Sequence, residues 1–108
     1  MDAQAQYEAI ADDLAARNDD VQLGQMMGMP AIKQAGKMVG GFSRNESAMV
    51  FKLVDGKQRE AALALKGAHL FDRSGGRRAP MKEWVVVPVA HAKQWRKLAD
   101  QAIRRRAA

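Results

Sequence analysis

Seven basic residues in the second half of the chain could bind phosphate groups. They are Arg73, Arg77, Arg78, Lys93, Arg96, Lys97 and Arg104. Basic side chains on one face of a protein create a positive potential that attracts nucleic acids. Neutralising roughly four to six phosphates would give a log–log salt slope of about −4 to −5. The alternative interpretation is a solvated helix face without a ligand.

A second group of residues could line a pocket for a small ligand. The group comprises Phe51, Lys52, Lys82 and Trp84. Alternate residues of a strand share a face, so Lys82 is expected beside Trp84. If Trp84 is buried, Lys52 or Lys82 would lie at the rim of a cavity. The alternative is that both lysines pair with acidic residues of neighbouring strands.

Residue types that carry catalysis or bind metals are sparse. The chain has no cysteine, which excludes disulfides, thiolate catalysis and cysteine-based metal centres. It contains no Gly-x-Ser-x-Gly nucleophile turn. The two histidines, His69 and His91, have no spacing that would bring them to Asp72 or Glu83. We therefore predict no catalytic residue, no metal site and no cofactor.

Composition and charge describe one globular domain with two unlike halves. A chain of 108 residues with 47% hydrophobic residues is enough for one core, so residues 1–108 are predicted to form a single domain. Residues 1–54 hold five basic and seven acidic residues, and residues 55–108 hold thirteen and five. The N-terminus lacks a signal-peptide pattern, and no apolar run approaches the roughly 20 residues of a membrane span. We expect a cytoplasmic protein without membrane contact.

Apolar spacing predicts three helices. The first is expected over residues 3–17 with Asp2 as its N-cap, and the second over 56–66 after Asp55. The third begins near residue 89 and runs for about 16 residues. Its apolar stripe comprises Trp95, Leu98, Ala99, Ala102 and Ile103. Each stripe predicts a helix that packs one face against a core.

Four strands are predicted between these helices. Residues 31–34 and 37–43 should form a hairpin around Ala35 and Gly36, because glycine tolerates the positive φ of a tight turn. Alternation at 48–54 and the apolar run 81–88 predict two more strands. Residues 24–30 are predicted to be a loop whose methionines fill a gap beside the core. The order α-βββ-α-β-α predicts an α+β fold, with a small antiparallel sheet packed against helices.

A succession of short blocks resembles the TfoX N-terminal domain family and its MmcQ/YjbR-like relatives. The blocks are Met-Pro-Ala-Ile-Lys at 29–33, Gly-Lys-Met at 36–38, Val-Phe-Lys-Leu at 50–53, Phe-Asp at 71–72, Met-Lys-Glu-Trp-Val at 81–85 and Trp95. The resemblance covers about residues 20–103. It implies a small α+β domain with an antiparallel sheet. The best-known relatives regulate natural competence in bacteria, where this domain is coupled to a second, C-terminal domain.

Three functions follow as hypotheses. The leading one is a non-catalytic interaction or regulatory module like the TfoX N-terminal domains, which acts through contacts with a partner protein. A homodimer is a further candidate, because a four-stranded sheet has exposed edges that need covering. The alternative is an accessory nucleic-acid-binding protein that uses the basic C-terminal helix. The third is a small-ligand-binding protein with its pocket near Trp84.

Overall fold

The computed structural model describes residues 2–26, 28–72, 76 and 81–107, and side chains as far as residue 103. Its elements are α1 (Ala3–Arg17), β1 (Val21–Met26), β2 (Met29–Gln34), β3 (Lys37–Ser43), β4 (Ala48–Lys52), α2 (Gly56–Leu63), β5 (His69–Phe71), β6 (Met81–Pro88), a 3-10 turn (Val89–His91) and α3 (Ala92–Ala107). The strands form one antiparallel sheet in the order β1-β2-β3-β4-β6-β5. The predicted α+β fold is confirmed.

The sheet has two strands that the sequence analysis missed. Strand β1 occupies part of the stretch that was predicted to be a loop, and it pairs with β2 along its whole length. Its sequence contains two glutamines and a glycine, which have little intrinsic preference for strands. Strand β5 is only three residues long. Both strands therefore form through pairing with a stronger neighbour.

Two aspartates start the first two helices, as predicted. The Asp2 carboxylate accepts a hydrogen bond from the Ala5 N–H at 2.7 Å. The Asp55 carboxylate accepts from the N–H groups of Lys57 and Gln58. Helix α1 has the predicted bounds, whereas α2 ends at Leu63, three residues earlier than expected. The Asp55 cap therefore turns the chain into a helix directly after β4.

A tight hairpin joins β2 to β3. Ala35 and Gly36 have φ values of 52° and 82°, as a type I′ turn requires. The register shifts between Ile32 and Lys33, which marks a bulge in this pair. A Cβ on Gly41 would lie 2.8 Å from the Pro30 carbonyl oxygen. The backbones of β2 and β3 therefore approach closely at Gly41.

The larger core lies on the side of the sheet that the helices cover, and we call it the helix-side core. All three helices contribute buried residues to it, together with Phe51, Val85 and Val87 of the sheet. Trp95 is fully buried, and its indole N–H donates to the Val87 carbonyl at 3.0 Å. Every residue of the stripe predicted for the third helix is buried. Helix α3 therefore anchors the sheet through the predicted face.

A smaller cluster lies on the opposite side of the sheet, and we call it the second core. Its buried members are Met29, Ala31, Met38, Ala48, Val50, Trp84 and Val86, all from strands. Phe71 of β5 packs against this cluster, which also contains Met29 of β2. Four strand spacings separate β2 from β5, about 19 Å in a flat sheet. The second core therefore extends across the sheet from β2 to β5.

Candidate functional sites

Ion pairs between α1 and α3 neutralise part of the predicted basic face. The Arg96 guanidinium contacts the Asp13 carboxylate and lies 3.7 Å from the Asp100 carboxylate. Arg17 also pairs with Asp13, at 3.0 Å. Burial favours the neutral carboxyl of Asp13, but Arg96 and Arg17 outweigh it and lower its pKa below the ordinary value. Arg96 therefore links α3 to α1 through an ion pair.

Of the other basic residues predicted to bind nucleic acid, the structure describes the side chains of two. Lys93 and Lys97 are exposed on α3. Arg73, Arg77 and Arg78 lie outside the described residues, as does the side chain of Arg104. Within the described part of the chain, this surface therefore presents two exposed lysines beside a paired arginine.

The predicted ligand pocket corresponds in part to a cleft at the end of the sheet where β4 ends and β6 begins. We call it the Trp84 cleft. It has a volume of about 490 Å³ and is lined by Val54, Arg59, Met81, Lys82, Glu83 and Trp84. Lys52 lies opposite Trp84 in the β4–β6 register, with its ammonium 6.0 Å from the indole centroid. The structure thus brings Lys52, Lys82 and Trp84 together.

Phe51 is not part of this cleft, and Arg59 was not predicted. Phe51 points to the opposite face of β4, where it is buried in the helix-side core. Arg59 reaches the cleft from α2 and donates hydrogen bonds from Nη1 to the carbonyls of Leu53 and Val54, at 3.0 and 3.2 Å. The signal in the sequence that could have indicated Arg59 was the helix cap at Asp55. A helix that begins directly after a strand places its first-turn side chains near the strand end.

A second cleft lies between α1 and the first two strands, and we call it the β1 cleft. It has a volume of about 250 Å³ and is lined by Tyr7, Glu8, Ala11, Asp12, Leu23, Gly24, Pro30 and Ala31. Leu23 is 43% exposed, although it is a large apolar residue in a strand. Burial, with smaller contributions from Glu8 and Asp12, raises the pKa of the Tyr7 phenol. This cleft could not be predicted from the sequence, because it forms around β1, a strand that was not predicted.

The two histidines have separate environments. His69 Nε2 lies 2.6 Å from the Glu46 carboxylate, and Nδ1 lies 2.9 Å from the Leu70 carbonyl. Since two acceptors flank the ring, the charged form is favoured and the pKa of His69 is raised. His91 Nε2 lies 2.8 Å from the Lys66 carbonyl instead. Among the described residues, no three potential ligands of the His, Cys, Asp or Glu type gather around a point.

No protein-family model matches the chain, and no curated protein or solved structure matches it either. None of the described helices is long and apolar enough to cross a bilayer. On geometry alone, the Trp84 cleft, the β1 cleft and the edge strand β1 are candidate binding surfaces.

Proposed function

We propose that this chain is a non-catalytic protein-interaction module, and that its strand β1 pairs with an extended segment of a partner protein. The observation that carries the proposal is the open, uncharged edge of the sheet at β1. The resemblance of blocks such as 29–33 and 81–85 to TfoX N-terminal domains supports a regulatory module of this kind. A nucleic-acid role has weaker support, because Arg96 of the basic helix is engaged by Asp13 and Asp100.

The backbone of β1 leaves hydrogen-bonding groups free for a partner. Strand β1 ends the sheet and pairs only with β2. The Asp20 carbonyl accepts a hydrogen bond from the Ala35 N–H, so even-numbered residues of this segment face β2. Because antiparallel pairing alternates, Leu23 and Gln25 direct their N–H and C=O groups away from the sheet. These four groups can extend the sheet by one strand.

Strand β1 lacks the features that usually protect an edge. Its six residues, Val-Gln-Leu-Gly-Gln-Met, include no charged residue and no proline. Leu23 adds an exposed apolar side chain at the centre of the strand. The opposite edge is the much shorter β5, with three residues. The β1 edge is therefore the better surface for strand addition.

The charge beside β1 favours a basic partner over a second copy. Glu8 and Asp12 line the β1 cleft together with the exposed Leu23. Two β1 strands could pair antiparallel and join two sheets into one. The two copies would then be related by a two-fold axis perpendicular to the sheet, so both α1 helices would lie on the same face. Their acidic residues would then face each other. A partner strand that carries Lys or Arg at alternate positions, on the face toward α1, meets the same surface with opposite charge.

Peptide selection tests this proposal directly. A display library of random ten-residue peptides is selected on the wild-type protein and counter-selected on Leu23→Lys. We expect enriched peptides to carry Lys or Arg at alternate positions, and to shift the backbone amide resonances of Leu23 and Gln25. Gln22→Lys is the matched control, because it adds the same charge to β1 on the other face of the strand.

Two outcomes would contradict the proposal. Enriched peptides that bind Leu23→Lys as tightly as the wild type would exclude the β1 edge as their site. A dimer in light scattering that Leu23→Lys dissociates would assign the edge to a second copy of this chain.

A further inference from the structure

We infer that the Trp84 cleft binds a small organic anion, in which a carboxylate or phosphate is attached to a planar or apolar group. This site lies at the β4–β6 end of the sheet, whereas the proposed peptide edge lies at β1. The inference uses none of the residues of that edge, so either can fail without the other.

Three cations surround the cleft. Arg59 and Lys82 line it, and Lys52 stands over the neighbouring Trp84 ring. In the part of the chain that the structure describes, none of the three takes part in an ion pair. Glu83 is the one carboxylate among the lining residues. The cleft therefore has an excess of positive charge, which a bound anion would neutralise.

Arg59 is held in place before any ligand arrives. Its Nη1 atom donates to two backbone carbonyls at the end of β4, at 3.0 and 3.2 Å. The guanidinium has three further N–H groups, on Nε and Nη2, that can donate to an anion. A planar group fixed in this way loses little side-chain entropy on binding. The arginine thus provides an ordered donor, whereas Lys82 provides an exposed and adaptable charge.

The remaining wall of the cleft is apolar. Trp84 is only 9% exposed, and Met81 and Val54 lie beside it. The volume of about 490 Å³ lies within the range of small-molecule sites, roughly 300 to 1,000 Å³. An inorganic anion would leave this wall unused. A ligand with a ring next to its charged group could contact both the wall and the cations.

The two tryptophans provide a test with an internal reference. The chain has two indole N–H groups, and that of Trp95 is buried and bonded to the Val87 carbonyl. Nuclear magnetic resonance titrations would use adenosine monophosphate and benzoate, with adenosine, benzyl alcohol and inorganic phosphate for comparison. We expect at least one organic anion to shift the Trp84 resonance but not that of Trp95. The neutral analogues and inorganic phosphate should bind more weakly.

Paired charge variants locate the site. Lys82→Gln should weaken binding of that anion about tenfold, since it removes a charge-assisted contact. Lys97→Gln removes the same charge from α3, outside the cleft, and should change binding by less than about twofold. Equal losses in the two variants would mean attraction to overall charge and would overturn the inference. So would neutral analogues that bind as well as the anions, or the absence of any Trp84 shift at millimolar concentrations of both anions.

Discussion

The contact between α1 and α3 and the Trp84 cleft use positive charge differently. On the helix side, Arg96 of α3 contacts the carboxylate of Asp13 in α1, so acidic and basic elements neutralise each other. At the end of the sheet, Lys52, Arg59 and Lys82 lie at or beside the Trp84 cleft without an ion pair among the described residues. The formal net charge of +6 does not distinguish these two situations. A cation is available for binding only where the fold has not already paired it.

The two sides of the sheet differ in packing. The helix-side core includes residues from all three helices and is centred on the fully buried Trp95. The second core consists of strand residues alone, and Trp84 lies at its margin beside the open cleft. We therefore expect substitutions on the helix side to act mainly on stability. Substitutions near Trp84 should act more on binding.

The largest expected effect is that of Trp95→Ala. It would leave a cavity in the helix-side core and remove the hydrogen bond to the Val87 carbonyl. The expected loss is about 3–5 kcal/mol in the free energy of unfolding. Trp84→Ala should lose clearly less, because water can enter a space that borders the cleft. Urea denaturation of both variants would measure the difference, and equal losses would mean that the two sides do not differ in this way.

Gly41→Ala should have the next largest effect, on the second-core side. The new Cβ would lie 2.8 Å from the Pro30 carbonyl oxygen and 2.9 Å from the Met38 methyl group. The methyl group can move, but the carbonyl belongs to a paired strand. We expect a loss of about 1–3 kcal/mol in the free energy of unfolding.

Gly24→Ala is the matched control for this prediction. A Cβ there would have the flexible end of Lys33 as its nearest neighbour, at 3.5 Å. Its midpoint of urea denaturation should stay close to that of the wild type. If Gly41→Ala behaved like Gly24→Ala, β2 and β3 would not be held as closely as their geometry indicates.

Features set by local chemistry were predictable from the sequence. The Asp2 and Asp55 caps depend on a side chain and the next three residues, so short-range patterns were sufficient to find them. The buried face of α3 followed from spacing alone. The alternation of side chains along a strand predicted Lys82 on the same face as Trp84, and both residues line the Trp84 cleft. Lys52 was predicted at the rim, and its ammonium lies over the Trp84 ring.

Features set by distant parts of the chain were not predictable. The residues of β1 have a low intrinsic preference for strands, and β1 forms because β2 supplies a partner. The β1 edge of the sheet and the β1 cleft were therefore both missed. Arg59 joins the Trp84 cleft only because α2 turns back across the end of β4. Phe51 was assigned to the pocket although its alternation with Lys52 places it on the opposite face. A more consistent use of that alternation would have excluded it.

A smaller effect is expected at His69. The Leu70 carbonyl, and secondly the Glu46 carboxylate, raise its pKa above the ordinary value of 6.5. A raised pKa means that the contact stabilises the fold below pH 6.5 and that this contribution is lost as pH rises through the folded-state value. Glu46→Gln should lower the pKa of His69 in a magnetic resonance titration. The pKa should stay above the ordinary value, because the Leu70 carbonyl still accepts from the ring. Glu60→Gln is the control, and a pKa unchanged by Glu46→Gln would show that the Glu46 contact is not maintained in solution.

The smallest effect is expected from Asp13→Asn at the α1–α3 contact. Arg96 and Arg17 hold the pKa of Asp13 below its ordinary value of 3.8, although burial opposes them. The stabilisation is therefore present above pH 3.8 and is lost as pH falls through the lower, folded-state value. Because the Asp13 side chain is still 40% exposed to solvent, the contribution should be small and should decrease further with salt. Asp13→Asn should flatten the acid limb of the stability curve slightly, whereas Asp19→Asn should not. If both variants kept the wild-type acid limb, the ion pairs between the acidic helix α1 and the basic helix α3 would contribute nothing measurable to stability.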